Sequence, residues 1–108
     1  MIPIEQYSLF WVDLNPTHGA EVNKKRPCVV ISPDEMNRYL KTVIVAPLTN
    51  TAREYPFRFE VEVNGVTGWI MLDQIRAVDK TRIANHIGSL NLEDIMKIKE
   101  LLQEMFVY

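Results

Sequence analysis

The chain has 108 residues, 47% hydrophobic and 24% charged, which predicts one globular domain over residues 1–108 with a single modest core and leaves no room for a second. Twelve Lys and Arg stand against fourteen Asp and Glu for a formal charge of -2, so a nucleic-acid site has to be a local patch and not a globally basic surface. A single cysteine excludes an intrachain disulfide, and the lack of a basic leader or a long uninterrupted apolar run predicts a soluble cytoplasmic protein with no membrane partner.

From Tyr7 to Leu14 most residues are aromatic or β-branched, which predicts a first strand with Phe10, Val12 and Leu14 on one face and Tyr7, Leu9, Trp11 and Asp13 on the other. Asn15 to Lys25 holds Asn-Pro, Gly19 and mixed charge and reads as a long, turn-rich connection; a loop of that length in so small a domain invites a functional reading. Cys28-Val29-Val30-Ile31 is an unbroken β-rich run between Pro27 and Pro33, suited to a strand buried on both faces, in which Cys28 is a small hydrophobe. Pro27 lacks an N–H and biases Arg26 toward an extended backbone, so the guanidinium is expected at the mouth of this strand. On charge alone, Lys24, Lys25 and Arg26 read first as solvated loop residues.

Asp34 to Leu40 has helical residues for one or two turns only. Thr42 to Leu48 is a further strand, with Pro47 marking an edge or bulge at its far end, and it delivers Thr49, Asn50 and Thr51 to a loop that carries Arg53 and closes at Pro56. Phe57, Phe59, Val61 and Val63 then alternate with Arg58, Glu60 and Glu62, the pattern of a half-exposed antiparallel strand. Asn64-Gly65 is a type I′ hairpin signal, and Gly68 to Leu72 is the returning strand. Polar and apolar residues alternate from Asp73 to Val78, Asp79 to Arg82 is a charged turn, and Ile83 to Ile87 is a short last strand.

A C-terminal helix follows, because Ile95, Ile98, Leu101, Leu102, Met105 and Phe106 recur at three- and four-residue spacing. Asn91 is its N-cap, Asp94 the partner of a capping-box-like pair, and Leu90 with Ile95 a hydrophobic staple. The elements together predict a mainly β fold: a small, strongly curved antiparallel sheet or half-open barrel with the helix across it.

His18 and His86 are far apart with no carboxylate pair beside either, and there is no P-loop, no Gly-x-Gly-x-x-Gly and no Gly-x-Ser-x-Gly, so neither a metal nor another cofactor is expected. What remains is a set of polar groups at strand ends: Glu21 in the long loop, Arg26 beside Lys25, Thr49 to Thr51, and Gln74 with Arg76. Arg forks onto phosphate oxygens while Thr and Gln add neutral donors, which is chemistry suited to a phosphodiester.

Four stretches carry a resemblance: Phe10-Trp11-Val12-Asp13-Leu14-Asn15-Pro16 followed by Gly19-Ala20-Glu21; Lys25-Arg26-Pro27-Cys28-Val29-Val30-Ile31-Ser32; Val45-Ala46-Pro47-Leu48-Thr49; and Asp73-Gln74-Ile75-Arg76-Ala77-Val78-Asp79-Lys80. With these the chain resembles the MazF/PemK group of type II toxins, which are sequence-specific, metal-independent endoribonucleases. The resemblance implies an SH3-like (CcdB/PemK-type) barrel with a C-terminal helix, and it places the catalytic pair on Arg26 and Thr49. It implies cleavage of single-stranded RNA by attack of the ribose 2′-hydroxyl, which DNA lacks. Arg26 would stabilise charge on the phosphorane, since guanidinium does not deprotonate in proteins. Glu21 is the carboxylate best suited to take the 2′-hydroxyl proton and reads equally as a residue that orders its loop. Lys25, Asn50, Thr51, Gln74 and Arg76 are expected to bind substrate.

The resemblance also implies a homodimer, which the apolar tip Phe106, Val107 and Tyr108 favours, and a cognate antitoxin whose acidic, disordered tail folds across the Arg26 groove. Two departures stand out. The Gly-Asp or Gly-Glu usual before the first strand is Tyr7-Ser8 here, and the Gly-rich approach to the arginine is Val22-Asn23-Lys24-Lys25. The alternatives are a gyrase-poisoning toxin of the same fold, whose tryptophan-containing tip this chain lacks, and a non-catalytic SH3-like interaction module.

Overall fold

The computed structural model describes residues 3–15, 25–51 and 55–107. Seven antiparallel strands, β1 (Ser8–Asp13), β2 (Lys25–Val30), β3 (Thr42–Thr49), β4 (Arg58–Val63), β5 (Val66–Met71), β6 (Arg76–Asp79) and β7 (Ile83–Ser89), run β4-β5-β3-β2-β1-β7, with β6 beside β3. A six-residue helix α1 (Asp34–Tyr39) links β2 to β3, and α2 (Leu92–Phe106) closes the described chain.

The β-branched run that begins at Cys28 is buried on both sides, as its composition requires. Cys28 and Val30 join Phe10, Val12, Val43, Val45 and Val78 in one cluster, while Val29 and Ile31 join Leu9, Ala46, Leu48, Ile70, Leu72 and Ile98 in the other. The alternation expected for β1 is therefore the observed one, since Phe10 and Val12 serve the first cluster and Leu9 the second. The second cluster is the one α2 covers, through Ile95, Ile98, Leu101, Leu102 and Met105. Phe106 does not belong with them. It is the last residue of α2 and 67% exposed. The start of α2 is capped as its sequence suggests, with the Asp94 N–H donating to the Asn91 side chain at 2.8 Å.

Strand β2 extends three residues beyond the apolar run, so that Lys25, Arg26 and Pro27 pair with Asp13, Val12 and Trp11 of β1. Strand β3 changes partner along its length. One edge follows β2, but on the other Thr42–Val45 pair with β6 and Leu48 and Thr49 pair with β5, and Ala46 and Pro47 fall between. A residue with no N–H suits that gap, which gives the predicted irregularity at Pro47 its cause.

The curl brings the far hairpin back to β7. Asn64 and Gly65 have φ of 49° and 83°, the type I′ turn their sequence specifies, and the Asn64 side chain donates to the Ile87 carbonyl at 2.8 Å. Gly88 leaves this closure room, because a Cβ there would lie 2.5 Å from Asn64 Nδ2 and 2.7 Å from Val63 Cγ1 and would force one of them to move. At the other end Tyr7 occupies the left-handed region at φ 68° in place of the expected glycine. It is pinned there by its N–H donating to Val30 O (2.7 Å) and its carbonyl accepting from the Leu90 N–H (3.0 Å).

Candidate functional site

Where β2 and β3 run out of the core they leave two side chains facing a common space. The Cys28–Pro47 rung is the last paired position between these strands, and counting on by two residues along each arrives at Arg26 and Thr49. Both line a groove of about 820 Å³. Lys25, Asn50, Thr51, Gln74 and Arg76 line it as well, so the groove gathers every sequence-predicted site residue within the described chain. Glu21, His18 and Arg53 lie outside the described residues.

The electrostatics of the groove differ from those of the whole chain. Its described lining includes three cations, Lys25, Arg26 and Arg76, and no carboxylate, in a protein of net charge -2. The positive end of β2 is solvent-facing while its other half is buried, so the guanidinium stands on a rigid base. Cys28, just behind it, is not a nucleophile. Burial pushes its thiol up to about 12, against which the nearby Arg26 and Arg76 charges act only weakly. Thr49 is oriented by the Thr51 N–H, which donates to its Oγ1 at 3.3 Å, a contact that uses the oxygen and not the hydroxyl proton.

Several contributors were not anticipated from sequence. Trp11 and Met71 supply apolar lining, and Asn15, Thr67 and Leu14 complete the rim. Trp11 is legible in hindsight, as a half-exposed aromatic in an otherwise buried strand. Arg82, read only as part of a charged turn, donates to the carbonyls of Asp13 (3.2 Å) and Asn15 and so fixes the chain where it enters the β1–β2 connection. Arg58 donates through Nε and Nη2 to Asp73 at 2.8 and 2.7 Å, and Gln74 donates to the same carboxylate at 3.3 Å. His86 is not part of the groove lining and packs edge-on against Phe10, with ring centroids 5.0 Å apart.

Residues 5–106 match the model of the PemK-like, MazF-like toxin of type II toxin-antitoxin systems. The chain belongs to this family. It is 32% identical over 106 residues to endoribonuclease EndoA of Bacillus subtilis, covering 93% of this chain and 91% of that one. Over 92 residues it is 32% identical to the endoribonuclease toxin MazF of Escherichia coli, covering 84% and 83%. Its fold is that of MazF from Deinococcus radiodurans, with a TM-score of 0.83 at 24% identity over all of both chains. A mycobacterial endoribonuclease solved in complex with its cognate antitoxin gives a TM-score of 0.79 at 21% identity, covering 93% of this chain and 91% of that one. In this chain the end of the β2–β3 ladder leads directly to Arg26 and Thr49.

Proposed function

We propose that this chain is a single-domain toxin that cleaves single-stranded RNA in a sequence-specific, metal-independent reaction in the cytoplasm. The observation that carries the reading is the cationic groove of an acidic protein, with Arg26 and Thr49 brought to matching positions at its floor. The relatives named as endoribonucleases support the activity, and the neighbour solved with its antitoxin supports neutralisation by a cognate antitoxin.

The ribose 2′-oxygen attacks the adjacent phosphorus, its proton passes to a base, and the 5′-oxygen of the next nucleotide leaves with a proton. The products are a 2′,3′-cyclic phosphate and a 5′-hydroxyl. Arg26 forks onto the phosphate oxygens and stabilises the charge that grows on them, and Thr49 donates to one of them. Glu21 is assigned as the base. Lys25 and Arg76 neutralise flanking phosphates, and Asn50, Thr51 and Gln74 supply neutral hydrogen bonds to the strand. The toxin acts as a homodimer, for which the exposed Phe106 and Val107 offer an apolar surface to cover.

Arg26→Lys tests this reading. Lysine keeps the charge and loses the planar fork, so single-turnover cleavage in EDTA should fall on the order of 10²- to 10³-fold while affinity for a 2′-deoxy analogue shifts little. Near-wild-type cleavage by the variant would remove Arg26 from the mechanism, and loss of wild-type cleavage in EDTA would remove metal independence.

A further inference from the structure

Thr49 and Thr51 also border a second, shallower recess of about 570 Å³, whose other walls are Tyr55, Pro56, Arg58 and Asp73. The reaction described above uses none of these four. The recess is held together by a chain of contacts: the Arg58 guanidinium forks onto Asp73, its central carbon lies 4.8 Å from the centroid of the Tyr55 ring, and Gln74 donates to the same carboxylate. It therefore joins directly to the main groove through Thr49 and Thr51 on one side and through Gln74 on the other.

Its chemistry differs from that of the groove. A bare carboxylate near a phosphate path would repel the substrate, but here Arg58 balances Asp73 within hydrogen-bond distance, so the recess carries little net charge. Asp73 keeps acceptor capacity, its side chain 37% exposed, and an ionised carboxylate has no proton to donate. Tyr55, 44% exposed, and Pro56 add flat apolar surface. A phosphate finds no unbalanced cation there. A nucleobase finds a stacking surface and an acceptor at its edge.

We propose that this recess is a nucleobase subsite: the base of a nucleotide flanking the phosphate at Thr49 stacks on Tyr55 and donates an exocyclic amino hydrogen to Asp73. Adenine, cytosine and guanine each carry such an amino group. Uracil does not, and the two carbonyl oxygens beside its N3–H face the carboxylate unfavourably, so uracil is the base this position rejects. The inference rests on the ribonuclease reading for its choice of ligand and adds to it the residues that select sequence.

The test is a binding experiment, independent of cleavage. Short RNAs with 2′-deoxy sugars at the cleavable position, carrying each of the four bases in turn at every flanking position, are titrated against the purified protein by fluorescence anisotropy. At one flanking position uracil should bind about tenfold more weakly than the amino-bearing bases, the scale of one lost edge contact. Tyr55→Ala should weaken the amino-bearing ligands by about tenfold, the lower part of the range for one base–aromatic stack, and Tyr55→Phe should restore them. Asp73→Asn, which offers a donor as well as an acceptor, should erase the discrimination against uracil. Tyr39→Ala, an exposed aromatic on α1 away from both recesses, should change nothing. If no flanking position discriminates against uracil, or if Tyr55→Ala binds as wild type does, the subsite is overturned even where RNA cleavage persists. If the wild type cleaves no RNA yet shows the Tyr55-dependent preference, the ribonuclease reading falls and the subsite stands.

Discussion

Gly88→Ala measures how firmly the half-barrel is closed. The added methyl would sit 2.5 Å from Asn64 Nδ2 and 2.7 Å from Val63 Cγ1, separations that packed carbon atoms do not tolerate. Asn64 can swing away only by giving up its bond to the Ile87 carbonyl, a loss of about 0.5–1.5 kcal/mol. Val63 is 7% exposed, and forcing it off its rotamer costs about 0.5–1.5 kcal/mol more. The sum is about 1–3 kcal/mol, or a fall in Tm of roughly 4–20 °C for a domain near this size, read by urea and thermal unfolding. An opposing term exists. Gly88 does not have a positive φ, so alanine also reduces the freedom of the unfolded chain and on its own would stabilise by about 0.4–1 kcal/mol. The net expectation is therefore a loss of about 0–2.6 kcal/mol, and a stabilised Gly88→Ala would refute the closure. In an Asn64→Gly background the first contact is gone and the bond already lost, so the two substitutions should fall short of additivity by about 1 kcal/mol.

Ile98→Ala, at a fully buried position of α2, should destabilise by about 2–5 kcal/mol in the same unfolding assays. Thr49→Val keeps the shape of the side chain and removes the donor, so cleavage should fall on the order of 10- to 10²-fold with the unfolding midpoint nearly unchanged. The Arg58 guanidinium, with help from Gln74, holds the Asp73 carboxyl down to about 2 from its ordinary 3.8. Because the folded value is the lower one, this stabilisation is complete above 3.8 and is lost as pH falls through about 2, and Arg58→Met should flatten that acid limb. More than a third of the Asp73 side chain is exposed, so solvent screening keeps the effect under about 1 kcal/mol. Replacing Phe106 and Val107 together with serine should shift the light-scattering mass from dimer toward monomer at micromolar concentration.

Strand faces, the Asn64-Gly65 turn and the helix cap were legible because each is dictated by neighbours in sequence: a two-residue alternation, a pair tolerant of positive φ, a side chain three residues from the N–H that donates to it. The β1–β7 and β3–β6 pairings were not, since nothing local to Phe10 or Val43 names a partner 76 or 35 residues away. The groove was partly legible. Arg26 and Thr49 stand where prolines and strand ends put them, but Arg58 looked like one more polar alternate of a half-exposed strand, and it is the β4–β5 register, which pairs it with Met71, that carries it to Asp73. Phe106 was legible both as the last of the helical series and as part of an exposed apolar tip, and it is the last residue of α2 and 67% exposed.

The pairing of the first strand with the last has a consequence for the time at which this protein comes into being. Strand β1 has β2 on one edge and β7 on the other, and the core beneath it is sealed by Ile98 of α2. Every described groove residue precedes both of those elements in the chain, so a ribosome has already made this lining before it makes the parts that hold it in shape. Domains fold as units, and long-range strand pairing waits for its partner. The nascent chain thus stays unassembled until β7 and α2 have been made, and a product truncated before β7 would carry Arg26 and Thr49 on a scaffold that cannot close.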